Sequence, residues 1–426
     1  MFSYLSNYVL GDGSKKEGEQ LSFFSKIFFF FMAALGFVRA CKGPILSAGI
    51  DLAVYPRVFF HIGLIKPFVF IAFLVLYLLL SFFIKRKYVI QLLSGLFAFG
   101  VLCVAIGSLF LFQGVFQKSS GAASLIVYAS NIFTHISQAL MPLLLWAYIL
   151  DQTSFDFAKK SFPLIAGSAV LGGGLAFAAT YYVGHVMALS MAVVSCLYAC
   201  SLFAAYYQSH EKKEEARRKP ERPRGVFFYG LSLFFLAFFH IIFMTISFNH
   251  MVSFARIYAP SIRAYSLAVD VFGLVAIFFT FLFALMFSYR IIKTYGVSFA
   301  LLVAPIVTGV AFGSLCVLPY NPVVTAVALA VKVIAFALYV PVFHMLYFAF
   351  SRRTRFKVKV WTELFCIMIA NFISTGIMRS SQGGLQQSLV HHAKISLFLI
   401  LIWIAVSYFA GKRCERFVED EAIGER

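Results

Sequence analysis

Charge is scarce in this chain, and negative charge is scarcest. Asp, Glu, Lys and Arg make up 12% of 426 residues, about half the share of a soluble domain. A soluble fold with an ordinary solvated surface is excluded. Acids number 17 against 36 Lys and Arg, a net charge of +19. A basic balance raises nucleic acid as a partner. The basic stretches, however, lack the interleaved aromatics of a base-stacking platform and sit in short gaps between apolar runs, so no nucleic acid is expected. The cysteines are Cys41, Cys103, Cys196, Cys200, Cys316, Cys366 and Cys414. They have no zinc or haem spacing, and their odd number argues against a disulfide framework. There is no nucleophile elbow, no Cys/His pair at useful spacing and no metal-ligand cluster; no catalysis, metal or cofactor is expected. Gly172-Gly173-Gly174 lacks the Lys-Ser/Thr partner of a phosphate loop and reads as close helix packing. No cleavable signal is expected either. Lys15, Lys16, Glu17 and Glu19 precede the first apolar run, and no convincing small-residue cleavage site follows it.

What is present is apolar length. Hydrophobic residues reach 62%, Phe alone numbers 53, and mean hydropathy is +0.89. Runs of about 18 apolar residues or more read as transmembrane helices, because backbone in lipid must satisfy its own hydrogen bonds. Twelve such spans are expected, at 22–40, 64–84, 88–112, 124–150, 161–183, 186–207, 226–250, 265–288, 297–318, 323–350, 360–378 and 394–411. With both termini cytoplasmic, inside segments hold 26 of the 36 Lys and Arg, outside segments hold 9, and Lys332 alone is mid-span. That asymmetry follows the positive-inside rule.

The loop HEKKEEARRKPERPR separates the sixth and seventh spans. The expected plan is an N-terminal six-helix half (1–207), a charged cytoplasmic linker (208–225), a C-terminal six-helix half (226–411) and a cytoplasmic tail (412–426). The fold class is all-α and polytopic, twelve transmembrane helices in a 6+6 arrangement like that of major-facilitator transporters, which place substrate between the halves near mid-bilayer.

Ionisable side chains at mid-bilayer cost about 2.5–3.5 kcal/mol on insertion scales, so they are paired or functional. In VRACKGPILSAGIDLAVYPR, Arg39, Lys42, Asp51 and Arg57 are either solvated loop charges or a cationic mouth for an anionic solute. Asp270 in SLAVDVFGLVAIFF and Lys332 in ALAVKVIAFALY are either a structural ion pair or a substrate-facing lysine with its counter-charge. Glu363, behind Lys357 and Lys359, is an interface charge or partners one of them. His135 and His240 read as hydrogen-bonded packing before proton relay. Asn131 and Gln138 share a helical face with His135.

Three stretches together resemble the ATP/ADP translocase (nucleotide transport protein) family of intracellular bacteria and plastids. The first carries Arg39, Lys42, Asp51, Pro67 and Tyr77 at the family's spacing. In the second, Trp146, Gln152, Thr153, Ala158, Lys159, Lys160, Phe162 and Leu164 fit the family's Trp, Asn-Gln turn and Glu-Ala-Lys-Arg-Phe-Tyr-x-Leu pattern. The third places Arg355, Lys357, Lys359 and Glu363 in the family's basic segment between the tenth and eleventh spans. Gly43, Asp151, Phe343-His344 and Val358 depart from it.

The resemblance implies exchange of nucleotides, or of a related phosphorylated anion, by alternating access. Arg39, Lys42, Lys332, Arg355 and Lys359 would face the phosphates, with Asp51, Asp270 and Glu363 as counter-charges or coupling groups. It also implies a bacterial inner membrane and a protein functional as a monomer. Two rivals stand beside it. One is a proton-coupled carrier of another small solute, with Asp270 or Glu363 as the proton site. The other is a membrane scaffold that does not transport.

Overall fold

The structure, a computed structural model, describes residues 15–50, 86–210, 226–258, 262–379 and 385–424, with single positions between 68 and 79. The expected span 64–84, the linker and Asp51 lie outside or largely outside these residues. The backbone of residue 270 is described; its side chain is not.

Every described element is helical. The order is α1 (Lys15–Ala40), α2 (Lys42–Gly49), α3 (Arg86–Phe112), α4 (Gly121–Gln152), α5 (Phe155–Val183), α6 (His185–His210), α7 (Val226–Tyr258) and α8 (Ile262–Phe283). A π-helical turn, Ala284–Ser288, joins α8 to α9 (Tyr289–Val317). Then come α10 (Asn321–Ile334), a second π-turn (Ala335–Tyr339), α11 (Val340–Met345), a 3₁₀ turn (Leu346–Ala349), α12 (Arg352–Arg379) and α13 (Leu385–Gly424). Among the described residues, nine stretches are long and apolar enough to cross a membrane. One of them, Val271–Val317, holds two expected spans. Its backbone breaks at Gly296 (φ 82°, ψ 175°), one residue before the expected start at 297. Positive φ suits glycine because it has no Cβ.

The first apolar helix runs further than expected. The expected span ends at 40, whereas the membrane-length stretch is Lys16–Gly49, interrupted only by a turn at Cys41.

The chain divides into two compact units. One comprises Met1–Tyr148 and Ser168–Lys219; the other comprises Ile149–Gly167 and Pro220–Arg426. In the first unit α1 meets α5 at very short range. A Cβ on Gly172 would lie 2.2 Å from the Phe29 carbonyl oxygen, and one on Gly36 would lie 2.4 Å from that of Gly173. The glycine triplet thus lets backbone approach backbone. Phe28 packs on buried Trp146 with ring centres 5.1 Å apart. In the second unit Phe243 stacks on Trp403 at 5.2 Å. The Trp403 indole N–H donates to the Tyr339 hydroxyl (3.3 Å), and that hydroxyl donates to the Leu236 carbonyl (2.9 Å). At the break in α9, the Ser298 N–H donates to Glu415 Oε1 of α13 at 3.0 Å, which satisfies a donor freed by the break.

Candidate polar sites within the two units

Among the described residues, each unit holds a polar cluster built around a lysine. In the first unit, Lys42 opens α2 and its Nζ lies 2.7 Å from His135 Nε2. His135 is midway along the 32-residue α4. Lys42 is therefore part-buried against the middle of a membrane-length helix, which disfavours a solvated loop charge. An ammonium has only hydrogens to give, so Nε2 accepts and the ring proton belongs on Nδ1. One turn earlier on α4, Asn131 is buried; its amide N–H donates to the Val127 carbonyl at 3.0 Å, and its Oδ1 has no partner. Arg39, exposed in the last turn of α1, precedes Lys42 by three residues. Its position suits the negative end of the helix dipole.

In the second unit, Arg355, Lys359 and Glu363 stand at i, i+4 and i+8 of α12 and so share a face. Lys359 is wholly buried. Its Nζ donates to His344 Nδ1 at 2.8 Å and also to Glu363 Oε1. His344 Nδ1 and Glu363 Oε1 are 3.6 Å apart. Lys359 Nζ also lies 4.9 Å from the centre of the Tyr347 ring. A buried ammonium needs this much support, because its desolvation penalty is several kcal/mol. Glu363 retains 14% exposure and is the most accessible member of the triad.

Arg355 has a different setting. Its guanidinium donates to the carbonyls of Leu150 (2.8 Å), Phe350 (3.2 Å) and Phe348 (3.4 Å) and lies 4.4 Å over the Phe348 ring. Leu150 is in the last turn of α4, where helix carbonyls have no intrahelical donor. Lys332 is three residues before the second π-turn, 5.4 Å from the centre of the Phe272 ring on α8. Phe272 is two residues beyond Asp270.

The structure thus groups Arg355, Lys359 and Glu363 within one unit, sets Lys332 elsewhere in that unit, and holds Lys42 and Arg39 in the other. Of the two cations offered to Glu363 by spacing, Lys359 takes it, while Lys357 is exposed. His135 and His344 were not among the expected site residues. His135 carried a weak signal through its polar helical face; His344 was marked only as a departure from the family's pattern. His240 stacks on Tyr339 at 4.9 Å.

No protein-family model matches the chain, and no curated protein matches it. Solved structures do match. A bacterial homologue of the iron transporter ferroportin, outward-facing, is 13% identical with a TM-score of 0.65, covering 91% of this chain and 99% of that one. The proton:xylose symporter XylE is 12% identical with a TM-score of 0.64, covering 94% and 95%. The transporter FucP is 11% identical with a TM-score of 0.60, covering 91% and 98%. This is the major-facilitator fold. The chain is an all-α membrane protein of that architecture, as its apolar runs predicted.

Proposed function

We propose that this protein is an alternating-access carrier of a phosphorylated anion, with ATP/ADP-type nucleotides the first class to test. The observation that carries the reading is Lys42 against His135. A neutral imidazole accepts an ammonium hydrogen and brings no negative charge of its own, so Lys42 keeps its cationic, donating character beside it. Phosphate oxygens are the natural acceptors for such donors. The partnerless Oδ1 of Asn131, one turn away, suits a hydroxyl or amine of a nucleoside. Such a site joins a cation to a neutral acceptor, which a nucleotide can engage at both ends. Alternating access is taken from the fold.

The test is uptake of labelled ATP into proteoliposomes preloaded with ADP or left empty. Uptake that requires preloading and falls at least tenfold in Lys42→Ala supports the reading. Absence of uptake by folded, inserted protein refutes nucleotide exchange and moves the screen to other phosphorylated solutes.

A second reading has its own observation. In the Lys359–His344–Glu363 triad the acid is the most exposed member, and a carboxylate that can trade a lysine for a proton is a coupling group. Proton-driven transport also occurs on this fold, in the proton:xylose symporter. Uptake driven by an inward pH gradient, lost in Glu363→Gln and indifferent to nucleotides, would favour this reading over the first.

A further inference from the structure

The seam between α9 and α13 ends in a group of exposed cations. The two helices pack antiparallel in one register. A Cβ on Gly309 would lie 3.3 Å from Ile400, and one on Gly411 would lie 2.7 Å from the Cα of Ser298. Past the second contact the helices stay together, because a Cβ on Gly296 would lie 2.9 Å from Glu415 Oε1. About one turn further, the same register brings Lys293 level with Arg416. Arg290 is one turn beyond on α9, and Lys412 one turn before on α13. All four side chains are exposed. Arg290, Lys293 and Arg416 form no ion pair among the described residues. Lys412 meets Glu415 at 3.5 Å, but Glu415 is turned inward, its other oxygen accepting the Ser298 N–H. Glu419, Asp420 and Glu421 follow Arg416 only about 5–8 Å further along the helix, away from the apolar run. On the side of that run, exposed Tyr408 stands one turn before Lys412, and exposed Tyr295 two residues after Lys293.

We propose that this seam binds one anionic phospholipid, its headgroup phosphate held between Lys293 and Arg416 with Arg290 and Lys412 beside them. Phosphate oxygens accept charge-assisted hydrogen bonds from ammonium and guanidinium groups alike. Like charges brought together by two packed helices repel one another, and an anion among them offsets that repulsion. The tyrosines select a lipid over a soluble anion. Such amphipathic rings sit at headgroup level, with the hydrocarbon on one side and the polar region on the other. Basic clusters at this depth favour anionic lipids over neutral ones. The bound lipid touches both helices and so bridges them next to the Gly296 break. The site shares no residue with the Lys42 or Lys359 clusters, so it stands or falls independently of the transport reading.

The experiment uses the purified full-length protein, stripped of lipid in an uncharged detergent. Phosphatidylglycerol and phosphatidylcholine are titrated separately while native mass spectrometry counts bound lipid and the unfolding midpoint is followed. The expected result is one phosphatidylglycerol retained per chain and a midpoint raised by that lipid alone. Lys293→Gln with Arg416→Gln should weaken its binding at least tenfold, whereas Lys293→Arg with Arg416→Lys keeps both charges and should retain it. Lys159→Gln with Lys160→Gln removes the same charge elsewhere and should leave binding unchanged. Equal retention of the two lipids overturns the site. So does an equal loss in the Lys159/Lys160 control, which would reduce the effect to overall charge. Inorganic phosphate is the last arm: a midpoint rise from phosphate alone, lost in the Lys293/Arg416 double variant, overturns the lipid in favour of a soluble anion.

Discussion

Ser288 donates its hydroxyl to the Ala337 carbonyl at 2.7 Å, and each residue belongs to a π-helical turn, Ala284–Ser288 and Ala335–Tyr339. A π-turn shifts backbone pairing by one residue and loosens a carbonyl from its usual donor. Here the hydroxyl of one turn satisfies a carbonyl of the other, with both residues fully buried. Ser288→Ala removes the donor and leaves that carbonyl bare in an apolar setting. The expected loss is about 1–3 kcal/mol, read as a lowered unfolding midpoint in detergent. Ser288→Thr, which keeps the hydroxyl, should recover part of it.

Lys359 and Glu363 should behave as a unit. Removing one member of a buried pair strands the other, at about 3–5 kcal/mol. Lys359→Met alone and Glu363→Leu alone are therefore each expected to destabilise strongly, while the double variant recovers most of the loss. Thermal unfolding of the four proteins forms a double-mutant cycle. Additive losses would show that the contact contributes nothing to stability.

Arg355→Lys should fail as a conservative change. The guanidinium is planar and serves three carbonyls at once, whereas a lysine presents one compact donor group on a flexible stem. The expected signature is faster amide exchange around the end of α4 and the turn at 346–350, seen by hydrogen–deuterium exchange. Unchanged exchange there would mean the three bonds do not hold these segments.

Glycine positions divide sharply by what surrounds them. Gly172→Val places side-chain carbon against the Phe29 backbone, which cannot retreat, and should abolish recovery of monodisperse protein. Gly95→Ala meets nothing within 4 Å and should stabilise α3 by up to about 1 kcal/mol through helix propensity. Size-exclusion profiles after mild heating separate the two outcomes.

Helix positions were legible because lipid leaves few alternatives. An apolar run must become a helix, and Lys and Arg mark its cytoplasmic ends. The expected start of the ninth span at 297 even falls beside the Gly296 break. Pairings across the chain were not legible. Lys42 and His135 are 93 residues apart, and nothing in either neighbourhood names the other. Lys359 and Glu363 were readable as a pair because helical spacing alone brings them together. The π-turns left no trace, since inserting one residue into a turn changes hydrogen bonding without changing composition. Lys42 read equally as a loop charge or a path residue, because the apolar run thins after Arg39 while the helix continues to Gly49.

Glu415 on α13 holds the N–H of Ser298 beyond the break in α9, and Gly411 lets the two backbones touch there: a Cβ on it would lie 2.7 Å from the Ser298 Cα. The polar stretch after residue 411 therefore acts as a clasp on the ninth helix, and the place where a reporter is attached becomes a structural decision. A fluorescent protein joined after Gly424 leaves the clasp shut. One joined after Lys412 cuts it away and leaves the start of that helix segment without its acceptor.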